Sequence, residues 1–200
     1  HHNPTGVEKR LLPHPQEVAN AIQENQLLLH YQPQLDMKTS SLIGVEALVR
    51  WQHPERGLVY PDMFIPVAEK NGLMEQLTGY ILRTVLEDRQ KWLAEQLSPH
   101  LSINISADNI TSLGLPEQLM SMLQEQQCDP SQLTLEITES TLMGELVTSL
   151  DILTRLRMKG FDLSIDDFGT GYSSLSHLHR IPFTELKIDR SFVMNMVVDE

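Results

Sequence analysis

Four separate stretches of the chain alternate apolar and polar residues with period two: Leu101-Ser102-Ile103-Asn104, Leu133-Thr134-Leu135-Glu136, Leu163-Ser164-Ile165-Asp166 and Leu186-Lys187-Ile188-Asp189. Period two is the signature of a β-strand. In the first three, the small hydroxyl and the following Asn104, Glu136 or Asp166 fall on one face and the aliphatic residues on the other. The intervening segments are long enough for a helix each. Strand-helix repetition predicts a parallel sheet. Polar residues gathered at the carboxyl ends of successive strands stand where α/β barrels carry their chemistry.

Elsewhere the pattern changes. Leu27–Gln34, stopping at Pro33, and Leu42–Trp51 read as strands on either side of a Lys38-Thr39-Ser40 turn. A connection that short makes them an antiparallel hairpin. Helices are predicted over Pro13–Gln26 on Val18, Ala19 and Ile22, and over Pro61–Lys70, stopped by Asn71-Gly72. A third runs over Leu73–Leu97 on Leu77, Ile81, Val85, Leu86 and Leu93, ended by Ser98-Pro99. Two more cover about Leu115–Gln127 and Met143–Lys159, the latter closed by Gly160. Asp167 to about Leu175 reads as a long loop.

The size of 200 residues, 40% of them hydrophobic, fits one domain with a substantial core. Residues 1–12 read as tag or linker, with His1-His2 the end of an affinity tag, and residues 13–200 as the domain. The apolar runs are far shorter than a membrane span, and no secretory signal is visible. The single cysteine, Cys128, excludes an internal disulfide, and the cytoplasm is the expected compartment. A formal net charge of −12 opposes binding to long nucleic acids. A small phosphate-containing ligand remains compatible if a cation bridges it to the chain.

That condition directs attention to the acidic strand ends. Glu46 and Arg50 share one face of the second strand, about 13 Å apart, which suits a metal at one end and a phosphate at the other, or an internal ion pair. If Glu46, Glu136 and Asp166 converge to about 5 Å, each like-charge pair costs about 3 kcal/mol, and the set about 10 kcal/mol. Protons or a divalent cation must offset that. Three carboxylates with the Asn104 amide form an all-oxygen set suited to Mg²⁺ or Mn²⁺, and zinc is disfavoured without thiol or imidazole. The plainer reading makes them polar layers of a filled barrel. Asp166-Asp167 can face two cations, as in two-metal phosphoesterases. Lys187 either holds a water or phosphate oxygen or forms a structural salt bridge; Glu139 is either a loop anchor or a solvated acid.

Taken together, Tyr31-Gln32-Pro33, Glu46-Ala47-Leu48-Val49-Arg50-Trp51, Asn104-Ile105-Ser106, Glu136-Ile137-Thr138-Glu139, Asp166-Asp167-Phe168-Gly169-Thr170-Gly171 and Lys187-Ile188-Asp189-Arg190-Ser191-Phe192 closely resemble the EAL-domain cyclic-di-GMP phosphodiesterases. The resemblance runs from about Leu27 to the end of the chain. It implies a modified (β/α)₈ TIM barrel with one antiparallel strand, in agreement with the hairpin. It further implies that Glu46, Asn104, Glu136 and Asp166 bind a first metal, that Asp167 helps bind a second, and that Lys187 holds the catalytic water. Gln32 and Arg50 would touch the dinucleotide, and Glu139 would tether the Asp167–Leu175 loop. The implied reaction is in-line attack by metal-activated water on one 3′–5′ phosphodiester, giving linear pGpG. A homodimer, and sensory or GGDEF domains in the same protein, are part of that expectation.

Counterparts of the family's later Ala-Glu-Gly-Val-Glu and Gln-Gly segments are not found before Glu200. The sheet is therefore expected to stop after about the sixth strand, with an unpaired edge and a second cation short of one carboxylate. Two rival readings stand beside the enzyme. One is a cyclic-di-GMP receptor that binds without turnover, which the full set of ligand residues in the matched range disfavours. The other is an enolase-like proton-abstracting barrel, which accounts less well for Asp166-Asp167 with Arg50.

Overall fold

The computed structural model describes residues 12–144, 146–169 and 182–195. The expected tag or linker at residues 1–11 and the loop from Thr170 to Leu175 lie outside the described residues. Each alternating stretch forms a strand. β1 (Leu27–Leu35) and β2 (Leu42–His53) make the antiparallel hairpin, with Gln32 opposite Glu46. β2 then pairs in parallel with β4 (His100–Asn104), followed by β5 (Leu133–Thr138), β6 (Asp162–Phe168) and β7 (Glu185–Ile188). A short β3 (Gly57–Val59), which carries no sequence signal of its own, pairs with β2 off this path.

The sheet order is β1-β2-β4-β5-β6-β7. This is an α/β fold with a mixed sheet of TIM-barrel type, and among the described residues it remains open. Its central strands are covered on both faces, as parallel strands usually are: Leu101, Ile103, Leu133, Leu135, Ile137, Leu163 and Ile165 are buried, and so are Ser102, Thr134 and Ser164 between them.

Helices α1 (Pro15–Gln23), α2 (Pro61–Lys70) and α3 (Met74–Ala94) pack on the β1–β2 side, followed by α4 (Ala107–Thr111) and α5 (Leu115–Glu125). α6 (Glu139–Gly144) and α7 (Leu146–Met158) lie between β5 and β6, and α8 (Arg190–Asn195) follows β7.

Several expected boundaries move. β1 runs through Pro33, which sits opposite Val45; an edge strand tolerates a missing N–H. α1 buries Val18, Ala21 and Ile22, so Ala21 takes the place expected of Ala19. α3 stops at Ala94, with Gln96 left-handed just beyond it, and Leu93 and Leu97 are exposed. The helix expected over Met143–Lys159 corresponds to α7 (Leu146–Met158), and a separate short α6 (Glu139–Gly144) precedes it directly after β5.

Candidate active site at the carboxyl ends of the strands

Strand register builds the site. Glu46 stands opposite Ser102, Asn104 opposite Glu136, Glu136 opposite Ser164, and Asp166 opposite Thr138. Small buried hydroxyls thus fill the layer beneath, and the acids step upward around the sheet. The stagger brings Glu46, Glu136 and Asp166 together, with carboxylate oxygens all within 4.8 Å of one another. The Asn104 amide donates to Glu46 Oε1 at 3.0 Å.

Lys187 reaches into this group from β7. Its Nζ donates to Glu136 Oε2 at 2.7 Å and to Glu46 Oε2 at 2.9 Å, and lies 3.5 Å from Asp166 Oδ2. Burial works against the ammonium, but the bonds to Glu136 and Glu46 outweigh it and raise its pKa above the ordinary lysine value. For Glu46, burial is likewise outweighed, and the Lys187 and Asn104 bonds hold the carboxyl below its usual range.

Glu136 goes the other way. It is wholly buried, and its pKa is pushed up to about 7, by burial first and then by Glu46 and Asp166, despite Lys187. Its Oε1 is buried and finds no hydrogen-bond partner among the described residues. One ammonium against three carboxylates leaves the cluster short of positive charge. An unsatisfied inward oxygen beside two carboxylates and an amide is a donor set that fits a hard divalent cation.

Asp166 and Asp167 occupy a break in the β6–β7 register, where Ile165 pairs with Leu186 but Phe168 with Ile188. The extra residue lets two adjacent acids turn toward the same end of the sheet. Asp167 takes the left-handed conformation at φ 55, and its N–H donates to Asp166 Oδ1 at 2.9 Å. Partial desolvation, then Asp166 and Asp189, raises the Asp167 pKa. Asp189 itself turns away to cap α8, accepting from Ser191 N at 2.9 Å.

Glu139 is buried, which removes the solvated alternative. Its Oε2 accepts from Gly169 N at 2.9 Å, just past β6. Gly169 has φ +99, and a Cβ placed there would meet the Phe192 ring at 2.5 Å. Phe192 carried no assigned role in the sequence, because nothing in its motif announces the contact.

Gln32 faces Glu46 across the hairpin and is exposed. Arg50, four residues beyond Glu46 on the same face of β2, donates Nη1 to Val49 O at 2.8 Å, and its guanidinium lies 5.4 Å from the Tyr60 ring centre. A cleft of about 410 Å³ opens beside the acids, lined by Glu46, Leu48, Ile65, Asn104, Thr138 and Asp166 among others. Tyr60 was not anticipated; a lone aromatic before a helix gives no signal in the sequence.

The EAL domain family model matches residues 16–200. The chain is 42% identical over 184 residues to a protein of Pseudomonas aeruginosa described as "Bifunctional diguanylate cyclase/cyclic di-GMP phosphodiesterase MucR", covering 92% of this chain and 27% of that protein. It is 41% identical over 174 residues to the "Probable cyclic di-GMP phosphodiesterase PdeB" of Escherichia coli, covering 87% of this chain and 34% of that one. The chain thus spans about a quarter to a third of the length of these relatives. Among solved structures, "PaMucR Phosphodiesterase, c-di-GMP complex" superposes with a TM-score of 0.85 at 42% identity, covering 92% of this chain and 75% of that one. A FimX EAL domain from Pseudomonas aeruginosa, with a TM-score of 0.81 at 22% identity over 91% of this chain and 73% of that one, shares the fold.

Proposed function

Because this chain belongs to the EAL-domain family, we propose that it hydrolyses cyclic di-GMP to linear pGpG with the help of Mg²⁺ or Mn²⁺. The observation that carries the proposal is the convergence of Glu46, Glu136 and Asp166 within 4.8 Å, with one buried Glu136 oxygen left without a partner. In this reading Glu46, Asn104, Glu136 and Asp166 hold one cation, and Asp167 contributes to a second. A divalent cation bound there supplies a water of lowered pKa and neutralises charge developing on the phosphate. In the reaction a water oxygen bonds to phosphorus, the P–O3′ bond breaks and the 3′ oxygen takes a proton, leaving a 5′ phosphate on the linear product.

The chain's own groups do the rest. Lys187, held by Glu46 and Glu136, directs its ammonium toward the attacking water. Arg50 and Gln32 bind the dinucleotide from the β1–β2 wall, Arg50 by the planar N–H geometry suited to phosphate. Glu139 fixes the exit of β6 through Gly169, and so the placing of Asp166 and Asp167. The same reading makes the protein a homodimer acting on the cytoplasmic side, with sensory or GGDEF domains elsewhere in the polypeptide. Among the described residues no helix is long and apolar enough to cross a membrane.

The test is chromatography of cyclic di-GMP incubated with the intact protein and Mg²⁺ or Mn²⁺. Linear pGpG should appear, and it should vanish on chelation. Glu46→Ala should lower turnover by about a hundredfold or more, since ligand and Lys187 partner are lost together. Undiminished turnover after chelation or in that variant excludes the mechanism. Tight binding with no product under either metal identifies a receptor instead.

A further inference from the structure

The β2–β3 pairing places one residue beside Arg50 that no motif assigns. Trp51 pairs with Val59, so the next residue, Tyr60, comes alongside Arg50. Tyr60 is the N-cap residue of α2, yet its side chain makes no capping hydrogen bond. It is 52% exposed and so contributes little to the core. Its ring instead lies under the Arg50 guanidinium, 5.4 Å from the centroid. Among the described residues that guanidinium has one hydrogen bond, from Nη1 to Val49 O at 2.8 Å, and its Nε is buried without a partner.

We infer that Tyr60 is a positioning residue for Arg50, holding the guanidinium aimed at a phosphate of the cyclic dinucleotide; this rests on the function proposed above. A flexible arginine tied by one bond to its own neighbouring carbonyl keeps much of its rotamer freedom and loses it on binding. A ring face under the cation removes that freedom beforehand without occupying the in-plane N–H groups of the Nη atoms that Val49 does not engage, and these remain for phosphate oxygens. The effect belongs to ligand capture, because Tyr60 contacts Arg50, four residues along β2 from Glu46.

The experiment uses the intact protein loaded with Mg²⁺, with steady-state turnover of cyclic di-GMP as one readout. Calorimetric binding of cyclic di-GMP to chelator-treated protein is the other. Tyr60→Leu and Tyr60→Ala should raise KM, and the Kd without metal, by about three- to tenfold, with kcat within about twofold of the parent. Tyr60→Phe keeps the ring and should restore both constants. In an Arg50→Ala background the effect of Tyr60→Leu should disappear, since contacting residues are not additive. Unchanged KM and Kd in Tyr60→Leu, or an equal loss with and without Arg50, overturns the inference while leaving the phosphodiesterase reading intact. A parent protein that neither binds nor cleaves the dinucleotide overturns both.

Discussion

Glu136 is where burial, charge and an unsatisfied oxygen meet on one side chain. Its carboxyl pKa is pushed from 4.5 up to about 7, by burial first and then by Glu46 and Asp166. Without a divalent cation the folded chain therefore holds this proton more tightly than the unfolded chain does. Stability from this group is complete below about pH 4.5 and is lost as pH rises through about 7. A cation that takes the carboxylate must expel the proton, so adding Mg²⁺ or Mn²⁺ at about pH 6 should release close to one proton, fading by about pH 8. Calorimetry in two buffers of different ionisation heat reads that number; no release at the lower pH would place the ion away from Glu136. The ligand-type residues themselves are legible in the sequence, because period-two alternation puts Asn104, Glu136 and Asp166 at corresponding strand ends. The division between them is not. Which acid is wholly buried and which bonds to Lys187 depends on register across strands far apart in the chain.

Where β6 ends, three segments meet on a single glycine. Gly169 gives its N–H to Glu139 from the start of α6, and its Cα faces Phe192 of α8. Gly169→Ala forces a side chain into a left-handed conformation and into the ring, and should cost about 1–3 kcal/mol in thermal or denaturant unfolding. Adding Phe192→Ala should return part of that loss, the part owed to the clash, while the backbone part stays. A Gly169→Ala protein as stable as its parent would mean the β6 exit is placed otherwise. This contact escaped the sequence for a physical reason: a motif shows that glycine is present, but its backbone angle and packing partner arise only when β6 and α8 are assembled. The β1–β2 hairpin, by contrast, followed directly from a turn too short for a crossover. Pro33 ends the pattern in the sequence but not the strand, because among the described residues β1 is an edge strand and tolerates the missing N–H. β3 and α4 went unseen because elements of three and five residues carry too little periodicity.

Seen entire, the described chain is a staggered sheet that gathers acid at one end and leaves β7 without a partner on its outer side. Leu186 and Ile188 are 44% and 62% exposed there, followed by Phe192 and Met194 on α8. An apolar strand edge left unpaired among the described residues templates further pairing, so the 200 residues expressed by themselves should self-associate. Ile188→Lys should shift sedimentation toward monomer; an unaltered distribution would locate the association elsewhere. The stagger also sets Glu46 level with Ser102 and lifts Glu136 and Asp166 above it, so that these three acids meet Lys187, with Asn104 bonded to Glu46. If that meeting point is a cation site for phosphodiester cleavage, turnover must track ion occupancy. The decisive measurement is a titration of Mn²⁺ into metal-stripped intact protein, with pGpG formation from cyclic di-GMP recorded at each step. Turnover should be nil without the ion, rise with it and saturate, and Glu136→Gln should need about ten- to a hundredfold more Mn²⁺ for the same rise. Product formed by the stripped protein, or an identical curve from the variant, would contradict it.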